Sequence, residues 1–460
     1  MRLVIAAPHG RSGKSTITLG IIGALKAKHG LAVQPYKKGP DFIDPSWLSW
    51  MAERPCCNLD LYFSPPQQIR TLFDRACADA DIAVVEGAMG LYDGLDVEGS
   101  DSTAAIARTI NAPVILVVDC TRMTRSAAAL VKGFQNFETG VDIAGVILNK
   151  VARPRHENIL RQSIEQYTGI PVIGAVPKIK NIHIADRHLG LVLAQEVQGL
   201  DNLRNCLTET ASQYIDLEAL LAIAGRSQEL PRQLQDRGPS ASNRARIGII
   251  KDKVFSFYYP ENLQALENSG AELVIIDSLQ DKKLPEVDAL YIGGGFPEVH
   301  AQQLQDNDSL RADIRRMILS GLPVYAECGG LMYLARRLHH EDQVFEMTGA
   351  LPCDVKMSAR PKGHGYSLMK VVKPNYLFSE NTEIRGHEFH HSQICNADQS
   401  LGSIMEVQRG YGLDGKNDGI LFHNVIAAYQ HIYAPANPEW AANFVAQAEN
   451  YKETARKLPG

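Results

Sequence analysis

The residues best suited to covalent chemistry lie in Val324-Tyr325-Ala326-Glu327-Cys328-Gly329-Gly330. A short apolar run ends abruptly at Glu-Cys-Gly-Gly, and Leu331-Met332-Tyr333-Leu334-Ala335 then reads as helical. The pattern predicts a buried strand turning sharply into a helix, with Cys328 on the turn. The glycines after it allow tight backbone conformations and leave room for a substrate. A thiol facing a helix N-terminus is expected to have a lowered pKa and to favour the thiolate. Taken alone, the turn also fits a buried structural cysteine. A second strand, Leu290-Tyr291-Ile292, runs into Gly293-Gly294-Gly295-Phe296-Pro297-Glu298. Backbone N–H groups at Gly294, Gly295 and Gly329 could stabilise the oxyanion formed when a thiolate attacks an amide. His431, closing an apolar run from Ile420, is the candidate general base.

The other chemistry-bearing stretch is near the start of the chain. The apolar strand Leu3 to Ala7 leads into Pro8-His9-Gly10-Arg11-Ser12-Gly13-Lys14-Ser15-Thr16, then a helix with Ile17, Ile21, Ile22 and Leu25 on one face. Strand, glycine-bearing loop, Gly-Lys-Ser and helix make a phosphate-binding loop for ATP, with Pro8 where the standard motif has glycine. Gly10, Gly13, Ser15 and Thr16 belong to its cradle, Lys14 neutralises phosphate, and the Ser15 hydroxyl reaches Mg²⁺. A polar turn is the bland alternative. Ile82-Ala83-Val84-Val85 ends at Glu86, where ligands bind in doubly wound sheets, so Glu86 is a candidate Mg²⁺ ligand. Tyr36-Lys37-Lys38-Gly39-Pro40-Asp41-Phe42-Ile43-Asp44-Pro45 is unusually dense in charge, though a solvated loop also fits.

Gly-Gly-Gly-Phe-Pro-Glu, Ala-Glu-Cys-Gly-Gly-Leu-Met-Tyr-Leu and Gly386-His387-Glu388-Phe389-His390 together resemble the cobyrinic acid a,c-diamide synthase family. That family belongs to the triad-type (class I) glutamine amidotransferases, and the resemblance spans nearly the whole chain. It implies an α/β protein: a P-loop ATPase-type parallel sheet, then a flavodoxin-like class I glutamine amidotransferase domain. It also implies ATP- and glutamine-dependent amidation of the a and c acetates of cobyrinic acid through an acyl phosphate, a carbon–nitrogen ligase reaction of cobalamin biosynthesis. Sirohaem-type rings and nickel sirohydrochlorin are alternative acceptors. By the same resemblance Lys38, Asp41 and Asp44 serve the Mg²⁺–phosphate site and the approach of the substrate carboxylate. Asp93 lies close to the tetrapyrrole, or simply closes the turn before Gly94. Asn149 contacts the adenine. Many class I glutaminases have His-x-Glu, whereas His431-Ile432-Tyr433 stands here, so a Cys–His dyad is expected rather than a triad. Glutamine and an anionic tetrapyrrole are the implied partners, and a homodimer is left open. A reading of another class is a partitioning-type or regulatory ATPase carrying an inactive amidotransferase domain.

The elements that position these residues follow from pattern. Apolar runs alternate with helical segments from Met1 to about Leu193, which implies a parallel sheet. A Gln-, Arg-, Ser-, Pro- and Gly-rich stretch without periodicity, 225–246, reads as a linker between a synthetase domain (1–224) and an amidotransferase domain (247–460). A chain of 460 residues is too long for one core. Net charge of −5 without a strong basic run argues against nucleic acid. No apolar run reaches membrane-spanning length. Met1 to Ala7 is too short for a signal peptide. Eight scattered cysteines without a Cys-x-x-Cys pair point to a reducing cytoplasm, with neither disulfides nor zinc. His387-Glu388-Phe389-His390-His391 has zinc-protease spacing, but its surroundings lack a helical face.

Overall fold

The computed structural model describes residues 1–179, 186–187, 190–197, 199–227 and 245–455. The chain divides into two compact units, Met1–Gln235 and Asp236–Gly460. The division falls inside the expected 225–246 linker, of which 228–244 lie outside the described residues.

In the first unit the apolar runs become seven strands: β1 (Arg2–Ala6), β2 (Val33–Lys38), β3 (Cys57–Leu59), β4 (Ile82–Glu86), β5 (Val114–Asp119), β6 (Ile143–Val151) and β7 (Val172–Pro177). They form one parallel sheet in the order β3-β2-β4-β1-β5-β6-β7. A parallel sheet needs cover on both faces, which is why β1, β4 and β5 are apolar almost throughout rather than alternating, whereas β2 carries Lys37 and Lys38 at its carboxyl end. One face buries Val4, Val85, Leu116 and Leu148, the other Leu3, Ile5, Val84 and Val117. The helix α1 (Lys14–His29) packs Ile21, Ile22 and Leu25 on the second face. It begins at Gly13, whose φ of 86° suits glycine, and stops at Gly30 in the same left-handed region.

The second unit holds a ten-stranded sheet. Five strands are parallel, in the spatial order Ala271–Ile276, Ala245–Ile250, Ala289–Ile292, Val324–Glu327 and Val425–Ala428. That is the flavodoxin-like order, second strand outermost. The sheet continues antiparallel through Asn417–Phe422, Gly402–Arg409, Gly363–Val371, Glu383–His390 and His431–Ile432. No helix among the described residues is long and apolar enough to cross a membrane.

Candidate active site

In the C-terminal unit Val324–Glu327 stops at Cys328 and the helix Gly329–Leu334 begins at once. Cys328 has φ 46° and ψ −99°, a backbone state that costs energy in a non-glycine residue. Its N–H donates to the Ala428 carbonyl at 2.8 Å, which ties the elbow to the strand leading to His431. The glycine turn closes on it from the other side. A Cβ on Gly329 would lie 2.9 Å from the Gly295 amide nitrogen, so the expected oxyanion donors adjoin. A Cβ on Gly294 would lie 3.2 Å from His431 Nε2, which puts the candidate base beside the same turn. Tyr258 Oη accepts from the Gly293 N–H at 2.7 Å and anchors the turn.

Two expectations about this centre change. Cys328 does not have a lowered pKa: burial pushes the thiol well up, the charge of Glu298 adds to this, and the opposing Gly329 N–H is outweighed. The six-residue helix after it is too short to reverse that balance. Nor does His431 stand without a carboxylate. Glu327 Oε2 lies 3.4 Å from His431 Nδ1, long for a hydrogen bond, and both side chains are buried. The acid comes from the nucleophile's strand rather than from His-x-Glu. On the other side the His387 ring stacks on His431 at 5.0 Å, with Tyr259 Oη 3.2 Å from His387 Nδ1. Burial and then the charge of His431 hold His387 well below the ordinary histidine range, so it stays neutral. His387 and His391 bracket the end of the strand Glu383–His390. Four residues of extended chain span roughly 13 Å, too far apart for one zinc.

The raised thiol predicts slow modification. Iodoacetamide labelling of Cys328 at pH about 7.5, followed at its own peptide by mass spectrometry, should be at least about 10-fold slower than for free cysteine, one pKa unit being tenfold. The rate should keep climbing above pH about 9, as the thiolate fraction does for a group titrating above the usual 8.5 or so. A rate matching free cysteine would show a thiol that burial has not raised, and a faster one would show a preformed thiolate.

In the N-terminal unit the expected residues gather at the carboxyl ends of the strands. Lys14 opens α1 and is buried; burial and then the charge of Lys37 lower its pKa. Ser15 Oγ donates to Glu86 Oε1 at 2.6 Å. Lys37 Nζ is 2.5 Å from Asp44 Oδ2, 3.1 Å from Glu86 Oε1 and 4.0 Å from Asp41 Oδ2. Although burial opposes it, Asp44 and Glu86 hold that ammonium charged. Lys37, passed over in the sequence, is thus the lysine among these carboxylates. Lys38, expected there, is buried against Asp101 at 2.8 Å, because neighbours on a strand point to opposite faces.

Asp41 Oδ1 accepts from the Ile43 N–H at 2.8 Å, just ahead of α2 (Ile43–Ala52), while Asp44 lies in its first turn. Loss of water in the cleft, and then the charge of Asp44, push Asp41 up to about 7. Burial works against ionisation of Asp44 too, but Lys37 keeps it below the ordinary carboxylate range. Asp93 Oδ2 accepts from the Gly90 N–H at 2.8 Å and closes that turn. Asn149 Nδ2 donates to the Ser12 carbonyl at 2.9 Å, which braces the phosphate loop and occupies an amide expected at adenine. Glu86 Oε2 is buried with no hydrogen-bond partner, a carboxylate oxygen still lacking a cation or donor. All-oxygen donors with one such orphan fit Mg²⁺. Among the described residues no group of three or more His, Cys, Asp or Glu side chains could hold a metal alone. Ser15 and nucleotide phosphates would have to complete the shell, as is usual for Mg²⁺ beside a nucleotide.

Residues 3–191 match the model of the CobQ/CobB/MinD/ParA nucleotide binding domain, and residues 246–438 that of the CobB/CobQ-like glutamine amidotransferase domain. The chain is 44% identical over 450 residues to a cobyrinate a,c-diamide synthase of Magnetococcus marinus, covering 96% of this chain and 95% of the relative. It is 41% identical over 453 residues to that of Archaeoglobus fulgidus, covering 98% of each. With that of Methanosarcina barkeri it shares 37% identity, covering 100% of this chain and 98% of the relative. With two domain models and full-length relatives in agreement, the chain belongs to the cobyrinate a,c-diamide synthase family.

Proposed function

We propose that the two units divide one reaction, the ATP- and glutamine-dependent amidation of the a and c acetate carboxylates of cobyrinate. In the C-terminal unit the Cys328 thiol gives its proton to His431 and its sulfur attacks the side-chain carbonyl carbon of glutamine. The carbonyl oxygen takes up the displaced electron pair, facing N–H groups of Gly294, Gly295 and Gly329. Collapse breaks the C–N bond, His431 returns the proton to the leaving nitrogen, and ammonia departs from a thioester that water hydrolyses to glutamate. In the N-terminal unit the substrate carboxylate attacks the γ-phosphorus of ATP and ADP leaves. Ammonia then adds to the acyl phosphate and phosphate leaves, giving the amide.

Lys14 neutralises phosphate charge, and Gly10, Gly13 and Thr16 belong to the loop that cradles it. Ser15, Asp41, Asp44 and Glu86 would hold Mg²⁺, which would supply charge stabilisation at the phosphoryl oxygens. Lys37 balances the carboxylates and keeps Asp44 ionised. Asp93 and Asn149 orient loops that face the acceptor and the nucleotide. The observation that carries the reading is the elbow: Cys328 at φ 46°, the Gly295 amide against the following Gly329, and His431 beside Gly294. An inactive amidotransferase domain has no need of that strained backbone.

The test is mass spectrometry of products from cobyrinic acid, sirohydrochlorin and sirohaem, each with ATP and glutamine, with and without Mg²⁺. Cobyrinic acid should yield mono- and diamides only when Mg²⁺ is present. Amidation of another ring in its place would move the substrate assignment.

A further inference from the structure

Glu327, the residue before the nucleophile, is 1% exposed and has four groups around its carboxylate. Tyr325 Oη and the Ile432 N–H donate to Oε1, each at 3.1 Å. Tyr291 Oη donates to Oε2 at 3.1 Å, and His431 Nδ1 lies 3.4 Å from the same atom. A carboxylate only accepts, and a phenol or backbone N–H facing it must donate. Three of the four contacts therefore fix the carboxylate in place. The fourth is satisfied only when His431 carries its proton on Nδ1. That tautomer leaves a lone pair on Nε2, the ring nitrogen beside Gly294.

The parallel register explains how the acid arrives. Glu327 stands opposite Ala428, three residues before His431. The strand that ends in the nucleophile therefore delivers a carboxylate to the base one step before delivering the thiol. We propose that Glu327 is the positioning residue of the glutaminase, selecting the Nδ1–H tautomer of His431 and steadying the imidazolium. The thiol proton travels from Sγ to Nε2 and then to the departing nitrogen, while Glu327 neither gains nor loses one. The stacked His387 limits ring rotation on the other side. This proposal rests on the assignment of Cys328 and His431 given above.

Glu327→Gln keeps the shape and removes the charge. In the full-length enzyme its glutaminase kcat should fall about 100-fold, the scale of one general acid–base contribution. The KM for glutamine should stay within about threefold, since the loss falls on the transition state and not on binding. Imidazole ¹⁵N signals should show Nδ1–H at His431 in the parent and lose that tautomer in the variant. Thermal unfolding and near-UV circular dichroism matching the parent report whether the glutaminase unit of the variant has folded. A kcat within about threefold of the parent would overturn the proposal, as would an Nε2–H tautomer in the parent. If the variant fails to fold, the parent tautomer alone decides. Cys328→Ala separates the two levels: a surviving glutaminase there removes the underlying assignment. Its loss, combined with a normal Glu327→Gln, removes only the role of Glu327.

Discussion

Cys328→Ala is expected to abolish glutamine-dependent amidation while ammonia-dependent amidation continues near the parent rate. In the proposed mechanism the thiol supplies the covalent bond of the glutaminase half-reaction, and no neighbouring group can take its place. His431 and Glu327 are a base and an acceptor, and the backbone amides at Gly295 and Gly329 only donate. The substitution keeps Cβ, so the contacts of the elbow survive, and alanine inherits the same φ of 46°. Folding cost should therefore be small. In the proposed reaction phosphoryl transfer depends on Lys14, Ser15 and Glu86, which belong to the other compact unit. Free ammonia can still meet the acyl phosphate formed there. The assay compares initial amide formation with glutamine and with an ammonium salt, at a pH high enough to supply free ammonia. Equal loss with both donors would sink the division of labour between the units.

Both halves of the fold were legible because their signals are local. A loop such as Gly10 to Ser15 between an apolar strand and a helix has one common use, and the runs Ile82–Glu86 and Val324–Glu327 have the texture of buried parallel strands. What stayed hidden depends on register and facing. Glu327 and His431 are far apart in the chain and meet through sheet pairing at Ala428, so a search for the acid near the histidine found none. Lys37 and Lys38 are adjacent, and strand periodicity says only that they point apart, not which one meets Glu86. The thiol failed differently. A helix N-terminus visible in the sequence argued for a low pKa, while burial and the approach of Glu298 exist only in three dimensions. Asn149 shows the same limit: its strand is plain in the sequence, but its bond to Ser12 exists only in three dimensions.

Lys14→Ala should suppress amidation with glutamine and with ammonia alike, by roughly 100- to 1000-fold, the usual loss when a preorganised electrostatic contact is removed. Lys14 begins α1 directly after Gly13, so in the proposed site its ammonium and the helix N-terminus would act on the same phosphates. Lys37 cannot substitute, because Asp44 and Glu86 already hold it. Stability serves as the control, and its sign can be worked out. Burial and Lys37 lower the folded-state pKa of Lys14. Its charged form is therefore less stable folded than unfolded, and at neutral pH that charge opposes folding. Removing it should leave the melting temperature unchanged or higher. Activity lost in a variant that melts no earlier than the parent assigns the loss to chemistry. Glutamine hydrolysis by Cys328, measured with ATP and acceptor present, should persist without amide formation. Near-parent turnover with ammonia would mean that the nucleotide binds away from this loop.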